Sequence, residues 1–169
     1  MKPITQSHNL KLTQYELRGK ISAMANRLEH QNHNILKLHL GNPALFGLNT
    51  PPELLESIKK NLSHSQGYCD SKGLITSREA ICNSLINQDA YNVHPERTYI
   101  GNGVSELINV ALSALLNTDD EVLLPQPVYP LWSAVTTLNG GKVRYYSCDE
   151  DNHWLPNCDH IEQQINAKT

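Results

Sequence analysis

The stretch from Arg97 to Leu124 constrains this chain more than any other. Thr98-Tyr99-Ile100 reads as a short strand and Gly101-Asn102-Gly103 as a glycine turn. A helix follows in which Leu107, Ile108, Val110, Ala111, Leu112, Ala114 and Leu115 are apolar on nearly every side, the pattern of a helix buried all round. Asn117-Thr118-Asp119-Asp120 closes it, and Glu121-Val122-Leu123-Leu124 reads as the next strand. Strand, helix and strand at this spacing form a βαβ unit, with a right-handed crossover and parallel pairing. The fold class that follows is α/β, in layers.

The flanking sequence continues the alternation. A first helix is expected over about Gly19–Gln31, with Ile21, Met24, Ala25 and Leu28 on one side. Leu36, Leu38 and Leu40 alternate with Lys37 and His39, as in a half-buried strand that ends at Gly41-Asn42-Pro43. Thr50-Pro51-Pro52-Glu53 is a helix start: Thr50 caps, Pro51 takes the first helical position and Glu53 completes a capping box. Leu54, Leu55, Ile58 and Leu62 form that helix's apolar stripe. Gln66 to Gly73 is a loop, and a helix over about Leu74–Asn87 is expected to bury Ala80, Ile81 and Leu85. Beyond the central unit come a helix (Tyr129–Leu138), a Gly140-Gly141 turn, a strand (Val143–Tyr146) and a last helix over about Asp159–Ile165.

Composition excludes several function classes. With 39% hydrophobic and 18% charged residues in 169, the chain can build a core and is too apolar for disorder. A net charge of −3 leaves no electrostatic footprint for nucleic acid or an anionic membrane. No apolar run is long enough to span a bilayer, and Met1 to Leu12 lacks the apolar core of a secretory signal, so a cytoplasmic protein is expected. Cys69, Cys82, Cys148 and Cys158 form no Cys-x-x-Cys pair and read as free thiols in a reducing compartment. The eight histidines scatter, His30 and His33 fall on a solvated helix end, and no metal site is expected. Ser57-Ile58-Lys59-Lys60 matches Ser-x-x-Lys by coincidence, because the companion Ser-Asp-Asn and Lys-Thr-Gly elements are absent.

Two segments carry possible chemistry. At Gly101-Asn102-Gly103-Val104-Ser105-Glu106, free N–H groups at the helix start and the Ser105 hydroxyl suit a phosphate. Glu106 stands where a dinucleotide fingerprint needs its third glycine, so a plain tight turn is the alternative. In Pro125-Gln126-Pro127-Val128-Tyr129-Pro130, three prolines hold an extended segment that presents Tyr129 at the carboxyl end of a parallel sheet. Tyr129 could stack on a planar cofactor ring there, or pack with Trp132 on the following helix.

These segments in this order resemble the class I/II aminotransferases of fold type I, in particular their bacterial alanine (glutamate–pyruvate) group. The matching stretches are Tyr15–Gly19, Ile35–Pro43, Gln66–Leu74, Tyr99–Leu107 and Pro127–Trp132. The resemblance implies pyridoxal 5′-phosphate as cofactor, an amino acid (alanine) and a 2-oxo acid (2-oxoglutarate or pyruvate) as substrates, and a homodimer. It also implies roles. Gly41 is similar to the glycine whose backbone meets the substrate carboxylate. Val104 and Ser105 resemble the pair that holds the cofactor phosphate, and Tyr129 the aromatic that stacks on the pyridine ring. Tyr68 is similar to the tyrosine that reaches the cofactor phosphate of the neighbouring subunit. Residues 1–48 correspond to an N-terminal arm and part of the small domain. Residues 49–169 correspond to the first half of the large αβα domain, whose sheet is mostly parallel.

None of the nine lysines lies in the context of the family's cofactor-bearing lysine. The resemblance places that lysine, the aspartate beside the pyridine nitrogen and the substrate-gripping arginine beyond Thr169. The chain alone is therefore expected to be inactive, and poorly soluble unless a partner completes its sheet. The alternatives are a non-catalytic truncated product, a binding or assembly module, or one half of a split enzyme. A carbon–sulfur lyase of the same fold competes on substrate.

Overall fold

The computed structural model describes residues 3–15, 19–38 and 41–169. In chain order the elements are α1 (His8–Leu12), α2 (Lys20–His30), α3 (Pro52–Asn61), α4 (Ile75–Ile86), α5 (Val104–Leu115), β1 (Glu121–Gln126), α6 (Pro130–Leu138), β2 (Lys142–Asp149), β3 (Leu155–Pro156) and α7 (Cys158–Gln164). They form two compact units: Met1–Ala23 with Gly101–Thr169, and Met24–Ile100.

The first unit is built on a parallel ladder. β1 and β2 pair in register from Glu121 opposite Lys142 to Gln126 opposite Ser147, with α6 as the crossover between them. The βαβ unit therefore sits one element later than expected from Thr98–Leu124. Thr98–Ile100 forms no strand; the Ile100 N–H donates instead to the Lys72 carbonyl at 2.9 Å. Three extended residues need a ladder to become a strand, and among the described residues none is offered. β2 outgrows the expected Val143–Tyr146 because β1 runs on through Pro125 and Gln126 beside it. At its far end, β2 pairs antiparallel with the unforeseen β3.

Ile108 and Leu112, one helical turn apart on α5, pack with Val135 of α6 as the core, flanked by Leu116, Val122, Leu131 and Trp132. Thr136 is fully buried, and its hydroxyl donates to the Trp132 carbonyl at 2.8 Å, so no polar atom is stranded. The expected burial of α5 on all sides is not met. Leu107, Val110 and Leu115 are exposed, because α6 covers one face only. At the sheet edge, Glu121 accepts from Asn166 at 2.6 Å and from Arg144 at 2.9 Å. These hydrogen bonds, that from Asn166 foremost, hold its carboxyl below the usual carboxylate range. Asn157 caps α7 by accepting the His160 N–H at 2.9 Å.

The second unit departs further from expectation. α3 starts one residue late: Pro51 is the cap, Pro52 opens the helix, and Thr50 makes no capping bond. Its stripe of Leu54, Leu55, Ile58 and Leu62 is exposed. On α4 the buried pair is Arg78 and Cys82, while Ala80, Ile81 and Leu85 are exposed. What packs on α4 is a polar loop and the one-turn helix Pro95–Arg97, whose carbonyls want donors rather than methyl groups. Leu36 and Leu38 are exposed and unpaired, so the expected strand is absent there; Leu40 lies outside the described residues. No helix among the described residues is long and apolar enough to cross a membrane.

Candidate functional site

Val104 and Ser105 are the first two residues of α5. Gly103 precedes them with φ +88°, a backbone conformation that side-chain-bearing residues rarely adopt. A Cβ built on Gly103 meets nothing within 4 Å, so the space before the helix start is open. By helix geometry the N–H groups of the first turn have no partner within the helix. Leu107 is the first to close a turn, donating to the Gly103 carbonyl at 3.3 Å. Val104 and Ser105 are both exposed. Open space, unclaimed donors and the positive end of a helix dipole fit a phosphate. Glu106, in the same turn, folds back to accept the Asn102 N–H. Gly101 is needed for this: its Cβ would fall 2.9 Å from the Glu106 carboxylate and 2.7 Å from Leu107.

Tyr129 follows β1 in the same unit as the start of α5, and among the described residues no hydrogen bond joins it to Val104 or Ser105. α5 leads through residues 116–120 into β1. Tyr129 caps α6 from the segment after β1 and is half exposed. Its hydroxyl lies 3.3 Å from that of Tyr15. Hydrogen bonding to Tyr129, with lesser desolvation, raises the Tyr15 phenol above its ordinary value. α1 is tied to the same unit by Asn9, whose amide donates to the Leu138 carbonyl at 3.1 Å. Tyr15 as a neighbour of Tyr129 was missed in the sequence, for the two are 114 residues apart and no local pattern links them.

An open groove of about 850 Å³ runs beside this segment, lined among others by Leu12, Gln126, Pro127, Ser133, Lys142 and Tyr145. Its lining includes Val128 and Pro130 on either side of Tyr129, but none of Val104, Ser105 and Tyr129 themselves. Gly41 and Tyr68 belong to the second unit. Gly41 is exposed with open space at its Cβ position, and Tyr68 is fully solvent-exposed at 108%. Among the described residues no cluster of His, Cys, Asp or Glu could hold a metal ion.

Comparison with known proteins adds the wider setting. A sequence profile described as aminotransferase class I and II matches residues 33–169. The glutamate–pyruvate aminotransferase AlaA of Haemophilus influenzae is 48% identical over all of this chain, which covers 42% of that protein. An alanine aminotransferase of Mycobacterium tuberculosis is 42% identical over 97% of the chain and 38% of its own length. The solved structure of an Escherichia coli aminotransferase superposes with a TM-score of 0.89 at 46% identity, covering 99% of this chain and 41% of that one. An alanine aminotransferase from Pyrococcus furiosus matches at 0.89 with 27% identity, over 98% and 42%. The chain thus spans 38–42% of the length of these curated relatives.

Proposed function

This chain belongs to the class I and II aminotransferases, with the fold of the N-terminal part of a fold type I enzyme, and from that premise we propose that it supplies the cofactor cradle of an alanine (glutamate–pyruvate) aminotransferase. The observation that carries the reading is the open turn at Gly103. It leaves the start of α5 open at Val104 and Ser105, and Tyr129 follows β1 in the same unit, which supports the reading. Pyridoxal 5′-phosphate, when bound, supplies the electron sink that lets an amino group pass between an amino acid and a 2-oxo acid. Val104 and Ser105 hold its phosphate by backbone N–H groups, Ser105 adding a hydroxyl. Tyr129 stacks on the ring, and the Tyr15 hydroxyl bears on Tyr129. Gly41 offers its backbone to the substrate carboxylate. Tyr68 reaches the phosphate of a neighbouring subunit, which makes the assembly a homodimer. The division into residues 1–48 and 49–169 belongs to the same reading. So does a cytoplasmic location, supported by the modest net charge and four free thiols.

The test is a chimera in which this chain replaces the matching 42% of the Haemophilus influenzae relative. The chimera is expected to retain pyridoxal 5′-phosphate and to transaminate alanine with 2-oxoglutarate. Ser105→Ala and Tyr129→Ala should each weaken cofactor binding about ten-fold, the scale of one lost polar or stacking contact. A folded chimera whose affinity is unmoved by both changes together would sink the reading.

A further inference from the structure

Arg78 is a charged side chain that the proposed chemistry does not use, yet it is only 3% exposed. A buried guanidinium persists only when its donors are met. Here Nε donates to the Gly73 carbonyl at 3.0 Å, one Nη to the Pro95 carbonyl at 2.8 Å, and the other to an Asp70 carboxylate oxygen at 3.4 Å. The second Asp70 oxygen accepts the Lys72 N–H at 2.8 Å, and the Asp70 carbonyl accepts the Gly73 N–H at 2.8 Å. The Lys72 carbonyl in turn takes the Ile100 N–H at 2.9 Å, while the Lys72 ammonium donates to the Glu96 carbonyl at 2.7 Å. Gly73 is left-handed, at φ +94°, and its Cβ position lies 2.8 Å from Ile100. Segment 70–73 is thus fastened from both sides, to α4 through Arg78 and to residues 95–100 through Lys72 and Gly73.

Tyr68 lies two residues before this fastened segment and has no side-chain surface covered. An exposed aromatic reaches a target outside its own chain with little entropic cost only if the backbone beneath it is fixed. We propose that Arg78 is a positioning residue for Tyr68. Its guanidinium, acting through Asp70 and Gly73, sets the base from which the Tyr68 hydroxyl meets the phosphate in the neighbouring subunit. This rests on the reading of Tyr68 given above. The arrangement uses Arg78 rather than a lysine because the three acceptors are met by three separate nitrogens of a planar guanidinium, a spread that the single nitrogen of an ammonium does not have.

The test uses the chimera and two readouts: the dissociation constant of pyridoxal 5′-phosphate, and hydrogen exchange at the amides of Lys72, Gly73 and Ile100. Tyr68→Phe is expected to weaken cofactor binding about ten-fold, as one hydrogen bond to a phosphate does. Arg78→Met should weaken it by a similar factor, and the double variant by no more than either, because both act through one contact. The three amides should exchange at least about ten-fold faster in Arg78→Met, while those of α5 do not change. Asp70→Asn keeps the buried charge and should show the same pattern at lower amplitude, which preserves the test if Arg78→Met does not fold. A purely structural Arg78 would give additive losses in the double variant, and that overturns the proposal. So does a Tyr68-sensitive affinity that neither Arg78→Met nor Asp70→Asn moves. An affinity indifferent to Tyr68→Phe overturns the reading of Tyr68 itself, and the proposal falls with it.

Discussion

The two units of this chain are held by different physics. The first rests on an apolar seam, where Ile108 and Leu112 meet Val135 beside an in-register parallel ladder. In the second, the residues buried on α4 are a guanidinium and a thiol, and the fastening is a set of hydrogen bonds to backbone carbonyls. Apolar seams tolerate sliding of volume but lose stability with every methylene removed. Polar clamps are directional: they fix one conformation of a loop and fail abruptly when one partner is lost. The unit offering a helix start and a ring thus has a packed base, and the unit offering a projecting tyrosine has a bolted one.

The contrast can be broken by experiment. Ile108→Ala should cost about 4 kcal/mol in the first unit, the upper range for emptying a fully buried aliphatic site. Hydrogen exchange across β1 and β2 reads this, and a loss below about 1 kcal/mol would mean the seam is not the base of that unit. Gly73→Ala should cost the second unit about 3 kcal/mol, from forced positive φ plus collision with Ile100. It is read at the Lys72 and Ile100 amides, with β1 and β2 unchanged if the units respond separately. The smallest effect sharpens the comparison at the surface of the first unit. The Lys142 ammonium, 2.7 Å away, keeps the Asp119 carboxyl below its ordinary range, and Glu121 is lowered by Asn166 and Arg144. A lowered acid stabilises the fold above its unfolded-state pKa, and that contribution is lost as pH falls through its folded value. Lys142 is raised, foremost by its hydrogen bond to Asp119. Its contribution is present below the unfolded lysine value and is lost as pH rises through the folded one. Denaturation midpoints of the first unit should therefore sag modestly below about pH 4 and again above about pH 10. Asp119→Asn should flatten much of both slopes.

How much of this was legible in the sequence follows the same divide. The α5, β1, α6, β2 succession was readable because its apolar periodicities and glycine punctuation are local. The helix start at Val104–Ser105 and the placement of Tyr129 after β1 came from that same local grammar. Which face of α4 is buried was not readable, because a buried arginine reverses the usual rule and depends on carbonyls up to 17 residues away. The strands expected at Thr98–Ile100 and Leu36–Leu40 had the right pattern but found no ladder among the described residues. Pattern states what a segment can do; pairing decides whether it does.

The hydroxyl contact between Tyr15 and Tyr129 has a consequence for how the protein is made. Tyr15 leaves the ribosome 114 residues ahead of its partner. At about 5–20 residues per second, that is a wait on the order of ten seconds. The N-terminal segment must stay unclaimed through that interval and dock only once β1 and α6 exist to receive it. The surroundings of Tyr129 are therefore completed by a segment synthesised 114 residues before it.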